Sequence, residues 1–77
     1  MRQRIIDILM DFNEDVDYEQ ENRLIDEGHI DSLDLTAIIL ELEEAFGVQI
    51  DASEIEPENF NSVDAILDMI QRYQAAR

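Results

Sequence analysis

Ser32 lies between Asp31 and Leu33, where a polar stretch gives way to periodic apolar residues. A serine at a helix N-terminus most often acts as a cap, its oxygen accepting a backbone N–H. This serine follows Gly28 and a long loop, and it opens a helix with an apolar and acidic outer face. A hydroxyl there is exposed, and the positive end of the helix stabilises negative charge beside it. That suits a phosphate ester. Asp31 can take the capping role instead.

Two other residue sets have spacings that suggest chemistry. Asp11, Asn13, Asp15 and Asp17, with Glu19 further on, follow the ligand spacing of a calcium loop. Val16 stands where that loop needs glycine, and Asn22 where it needs a bidentate glutamate. Those failures leave weak attraction of divalent ions as charge relief, and no metal ligand is assigned. His29, Asp31 and Ser32 have the residue types of a catalytic triad. Residues so close along the chain rarely align as base, orienter and nucleophile, and no oxyanion hole is evident. The chain has no cysteine, hence no thiol nucleophile, disulfide or Cys-ligated metal, and its single histidine makes no zinc site.

The 77 residues carry 20 acids against 5 arginines, a net charge of -15. Between Leu24 and Gln71 there are 13 acids and no Lys or Arg. Nucleic-acid phosphate and anionic membranes are thereby excluded as partners. Partners with basic surfaces are favoured, because a field of one sign steers opposite charge. The length fits one domain, residues 1–77, with a small core and little room for an enclosed active site. The N-terminus lacks the apolar run of a signal peptide and nothing approaches a membrane span, so a cytoplasmic location is expected. The chain is expected to act as a monomer.

The periodicity predicts an all-α fold of three main helices and one short one. Met1, Ile5, Ile8, Leu9 and Phe12 share a face of a helix over 2–12. A long loop follows, anchored by Val16 and Tyr18 and then Leu24, Ile25 and Ile30; loops of that length are usually functional. The next helix spans Ser32 to Phe46 and ends at Gly47. Pro57 to Phe60 fits one turn, and Ser62 or Asn61 caps a last helix to about residue 75. On the helix 32–46, Leu35, Ile38, Ile39, Leu42 and Phe46 form the core stripe. Leu33, Ala37 and Leu40 fall on the opposite side, with Glu44 on the same line and Asp34, Glu41 and Glu43 flanking it. That second line is either scattered surface apolarity or a docking ridge.

Gly28-His29-Ile30-Asp31-Ser32-Leu33-Asp34-Leu35 resembles the attachment motif of acyl carrier proteins and their peptidyl and D-alanyl relatives. The resemblance covers nearly the whole chain. It includes Leu24 to Gly28 before the motif, Leu42 to Ile50 at the end of the following helix, and Ile55, Phe60 and Asn61-Ser62-Val63 beyond. It implies a four-helix carrier bundle with no catalysis of its own. By resemblance, Ser32 carries 4′-phosphopantetheine, transferred from coenzyme A by a separate Mg²⁺-dependent phosphopantetheinyl transferase. The arm supplies the thiol that the chain lacks and holds acyl or aminoacyl groups as thioesters. Implied partners are that transferase, a loading ligase and downstream acyl-processing enzymes with basic docking surfaces. Asp31, Leu33, Asp34, Ala37, Leu40, Glu41 and Glu44 are the expected docking residues.

Fatty-acid carriers often read Gly-Ala-Asp-Ser-Leu, so the added residue and apolar Ile30 look closer to D-alanyl and stand-alone carriers. Leu35 and Ala37 replace a smaller polar residue and an acid, and the bulk of Leu35 is placed to shorten or close an acyl pocket. The pathway stays open among fatty acid, polyketide, nonribosomal peptide and D-alanylation. From the residues alone, a calcium-binding regulator and an acidic adaptor with Ser32 as a mere cap remain as rivals.

Overall fold

The computed structural model describes residues 1–76; Arg77, counted among the five basic residues above, lies outside them. Among the described residues there are four α-helices and no strand. They are α1 (Arg2–Met10), α2 (Ser32–Phe46), α3 (Pro57–Phe60) and α4 (Val63–Ala75), with a single 3₁₀ turn at Ala52–Glu54. α1 packs against both α2 and α4, and α3 packs against α4.

The helix limits follow local chemistry. Asp31 caps α2, its carboxylate accepting the Asp34 N–H at 2.8 Å. Gly47 ends α2 at a φ of 64°, a left-handed conformation that a side chain would strain. Pro57 opens α3, where its missing N–H costs nothing. Ser62 caps α4 by accepting the Ala65 N–H at 3.0 Å. α1 stops at Met10, two residues before the predicted end. Phe12 and Asn13 both turn their N–H groups back to the Leu9 carbonyl, which tightens the chain out of the helix.

The core contains Ile5 and Leu9 from α1, Ile38 and Leu42 from α2, Phe60 from α3, and Val63, Ile66, Met69 and Ile70 from α4. Leu24 and Ile30 reach it from the loop, and Val48 and Ile50 from the connector after α2. Three expectations are corrected. Met1 belongs to the predicted α1 stripe but is exposed, because it precedes the first helical residue. Ile6 was outside that stripe and is buried. Glu43, expected beside the docking line, instead turns its carboxylate to the Ile50 N–H at 2.9 Å and holds the connector.

The loop from 13 to 31 is ordered by hydrogen bonds rather than by helix. The Tyr18 hydroxyl is shared between the Leu9 and Asn13 carbonyls. The Asn13 side chain donates to the His29 carbonyl at 3.0 Å. Arg2 pairs with both Glu19 and Asp64, tying the loop and α4 to the start of α1.

Candidate functional site

Ser32 is the first residue of α2 and is exposed. Because Asp31 is the cap, the Ser32 hydroxyl is not needed to hold the helix end. Among the described residues no hydrogen bond engages that hydroxyl, while the Ser32 carbonyl accepts from the Thr36 hydroxyl at 3.0 Å. The free N–H groups of the first turn leave partial positive charge beside it. A phosphodiester on the Ser32 Oγ would sit in that field, so the residues present fit a phosphate-linked arm.

Ser32 and Asp31 stand at the edge of an apolar groove of about 470 Å³. Leu35, Ile39 and Leu40 of α2 line one side, and Ile25, Ile55 and Pro57 face them from the loop and the α3 region. Leu35 is half-buried and lines this open groove. Of the expectation that its bulk shortens or closes a pocket, closure is not seen: the residue forms a wall of the groove. Ile25 and Ile55 lie in segments without helical periodicity, and no sequence pattern marked them as partners across the groove.

The expected docking residues are spread along one helix. Leu33 is 84% exposed and Leu40 60% exposed, both high for large apolar side chains. Glu41 and Glu44 are exposed, while Asp34 and Ala37 are half-buried. Leu40 belongs both to the outer line and to the groove.

The two rival constellations do not assemble. His29 Nε2 lies 3.0 Å from Glu21, and Asp31 is committed to the Asp34 N–H. In the acidic loop, Asn13 accepts the Asp15 N–H, Asp17 accepts the Glu19 N–H, and Glu19 pairs with Arg2. Among the described residues no group of three or more His, Cys, Asp or Glu could hold a metal ion.

Comparisons with known proteins agree with this geometry. The family model described as a phosphopantetheine attachment site matches residues 2–70. The chain is 35% identical to a D-alanyl carrier protein of Streptococcus uberis, over 84% of this chain and 82% of that one. It is 32% identical to a D-alanyl carrier protein of Lactococcus lactis subsp. cremoris, over 92% of each. It is 38% identical to an acyl carrier protein of Buchnera aphidicola subsp. Baizongia pistaciae, over 69% of this chain and 65% of that one. No solved structure gives a significant match. With the family's model spanning all but the ends of a small helical bundle, the chain belongs to the phosphopantetheine-attachment carrier proteins.

Proposed function

We propose that Ser32 is the residue to which 4′-phosphopantetheine is joined, and that residues 1–77 act as one monomeric carrier domain without catalysis of its own. The observation that carries this reading is an exposed serine hydroxyl, released from capping by Asp31, at the mouth of an apolar groove. In the attachment step the Ser32 oxygen bonds to the phosphorus that bears the pantetheine arm of coenzyme A. The pyrophosphate bond breaks, adenosine 3′,5′-bisphosphate leaves, and the hydroxyl proton passes to a base on the transferase. The bound arm supplies a thiol for acyl or aminoacyl thioesters, in keeping with relatives named as acyl and D-alanyl carriers.

Docking falls to α2. Glu41 and Glu44 with Asp31 and Asp34 would steer basic surfaces of the transferase, a loading ligase and later enzymes. Leu33 and Leu40 would enter apolar pockets there, and Ala37 between them leaves room for close approach. No described helix is long and apolar enough to cross a membrane. We place the carrier in the cytoplasm, where coenzyme A and such enzymes meet.

Intact-mass spectrometry tests the reading. Incubation with coenzyme A, Mg²⁺ and a broad-specificity phosphopantetheinyl transferase should add one phosphopantetheine to the wild-type chain and none to Ser32→Ala. Modification of the variant at the wild-type level would place the arm elsewhere.

A further inference from the structure

Asn61, the residue that ends α3, makes more contacts to the distant loop than any expectation from the sequence assigns it. Its Oδ1 accepts the Ile25 N–H at 2.9 Å and the Asp26 N–H at 3.1 Å. Its Nδ2 donates to Asp26 Oδ2 at 3.1 Å. Its own carbonyl accepts the Leu24 N–H at 2.9 Å. One asparagine thus holds three consecutive backbone amides of the segment that runs toward Ser32.

That segment is closed on itself. The Ile30 N–H donates to the Leu24 carbonyl at 3.1 Å, and the Gly28 N–H to the Ile25 carbonyl at 3.0 Å. Gly28 has a φ of 75°, and the space a Cβ would enter there is open, so the backbone turn is what asks for glycine. Leu24 and Ile30 anchor the closed segment in the core. The next residue is Asp31, the cap of α2, and then Ser32. Hydrogen bonds therefore run from Asn61 through Leu24 to Ile30, two residues along the backbone from Ser32. The same asparagine fixes Ile25, a wall of the groove, to the end of α3, whose first residue Pro57 is another wall.

We propose that Asn61 is a positioning residue of the attachment site: it holds the 24–30 segment in the arrangement that a transferase must meet at Ser32. Among the described residues Asn61 makes no hydrogen bond to Ser32. It acts by keeping the docking-competent arrangement dominant, and a carrier that spends less time in that arrangement binds more weakly in proportion. The proposal rests on the Ser32 reading above, and the test separates the two.

The test is steady-state transfer of phosphopantetheine to the apo chain, with the carrier as varied substrate, well below the melting temperature of each variant. Asn61→Ala should raise KM about tenfold, as when the competent fraction falls to about a tenth, and leave kcat within twofold. Asn61→Asp keeps the oxygen acceptor but sets a second carboxylate against Asp26, so it should raise KM as well. Its extra negative charge would favour a basic transferase, so a rise in KM runs against simple steering. The exchange Asn61→Asp with Asp26→Asn restores a donor opposite the carboxylate at unchanged net charge and should return KM to within twofold of wild type. A lower melting temperature with unchanged KM in the single variants overturns the proposal, as does a fall in kcat alone. Failure of the exchange to rescue overturns it too, including the case in which Asn61→Ala does not fold. If wild-type chain is not modified, the Ser32 reading fails first and takes this one with it. Normal wild-type modification with indifferent variants removes only the role of Asn61.

Discussion

The division of labour between Asp31 and Ser32 decides what the Ser32 hydroxyl can do. A capping serine would have its oxygen engaged by a backbone N–H, and its loss would cost about 0.5–2 kcal/mol. Here Asp31 takes that bond. Ser32→Ala should therefore shift stability by less than about 0.5 kcal/mol, like other surface substitutions, whereas Asp31→Ala should cost about 1 kcal/mol. Urea titrations of both variants check this, and equal losses would mean that the serine shares the cap. Tyr18 offers a second test at a single residue. Burial pushes its phenol above the ordinary tyrosine range. The unfolded chain ionises at the lower, ordinary value. Stability is thus retained below about pH 10 and falls as pH rises through the raised folded value. Tyr18→Phe should lose about 0.5–1.5 kcal/mol at neutral pH through its hydrogen bond and show a shallower alkaline decline. Melting curves between neutral and strongly alkaline pH measure both, and parallel declines in the two proteins would remove Tyr18 as the cause.

Helices with regular apolar spacing were legible from the chain, and segments ordered by single side chains were not. α2 shows both halves of this. Its limits match because Asp31 and Gly47 punctuate the ends and Ile38, Ile39 and Leu42 repeat at helical spacing. Ser32 stands out in the sequence because it coincides with that boundary and because the residues around it resemble the attachment motif. The groove went unseen because Ile25 and Ile55 approach α2 from aperiodic segments, and their placement depends on contacts such as that of Asn61. Glu43 was misplaced because helical spacing alone does not reveal that a carboxylate bends to a backbone amide seven residues on. The outer line of α2 can be dissected by rate. Glu41→Lys with Glu44→Lys should mainly slow association with the transferase and flatten its salt dependence, since long-range steering is lost. Leu33→Ala should mainly speed dissociation, by an amount worth roughly 1–3 kcal/mol if the side chain is fully desolvated in the complex. Leu42→Ala is the control: fully buried, it should destabilise the fold by about 2–5 kcal/mol. Stopped-flow binding and thermal melts separate these outcomes. A Leu33→Ala protein that melts like Leu42→Ala yet docks normally would make Leu33 a packing residue.

At the scale of the molecule, a charge of -15 on 77 residues opposes the compact state that the small core supports. The few arginine bridges relieve only part of it: Arg2 spans Glu19 and Asp64, Arg23 pairs with Glu27, and Arg72 spans Glu54 and Asp68. Near the groove, Glu56 and Glu58 are close enough for a side-chain hydrogen bond, and the neighbouring charge adds to it in raising the Glu56 pKa. A carboxyl with a raised folded value contributes stability at low pH and loses it as pH rises through that value. Asp51 works in the opposite sense. Hydrogen bonds from Ser53 lower its pKa, so its contribution persists in mild acid and is lost only as pH falls through the lowered value. Acidification from neutrality toward about pH 5, near the top of the ordinary carboxyl range, should therefore raise the melting temperature at low salt. Added salt should raise it at neutral pH by screening the same repulsion. The two treatments should not add fully, because each removes part of one cause. Mg²⁺ and Ca²⁺ at equal concentration should act alike, since screening asks for no particular coordination geometry. Differential scanning calorimetry over pH 5–8 at low and moderate salt tests the set. A melting temperature that falls steadily on mild acidification, or ignores ionic strength, would show that the acids are individually compensated. A strong preference for Ca²⁺ over Mg²⁺ would instead point back to the segment from Asp11 to Asn22.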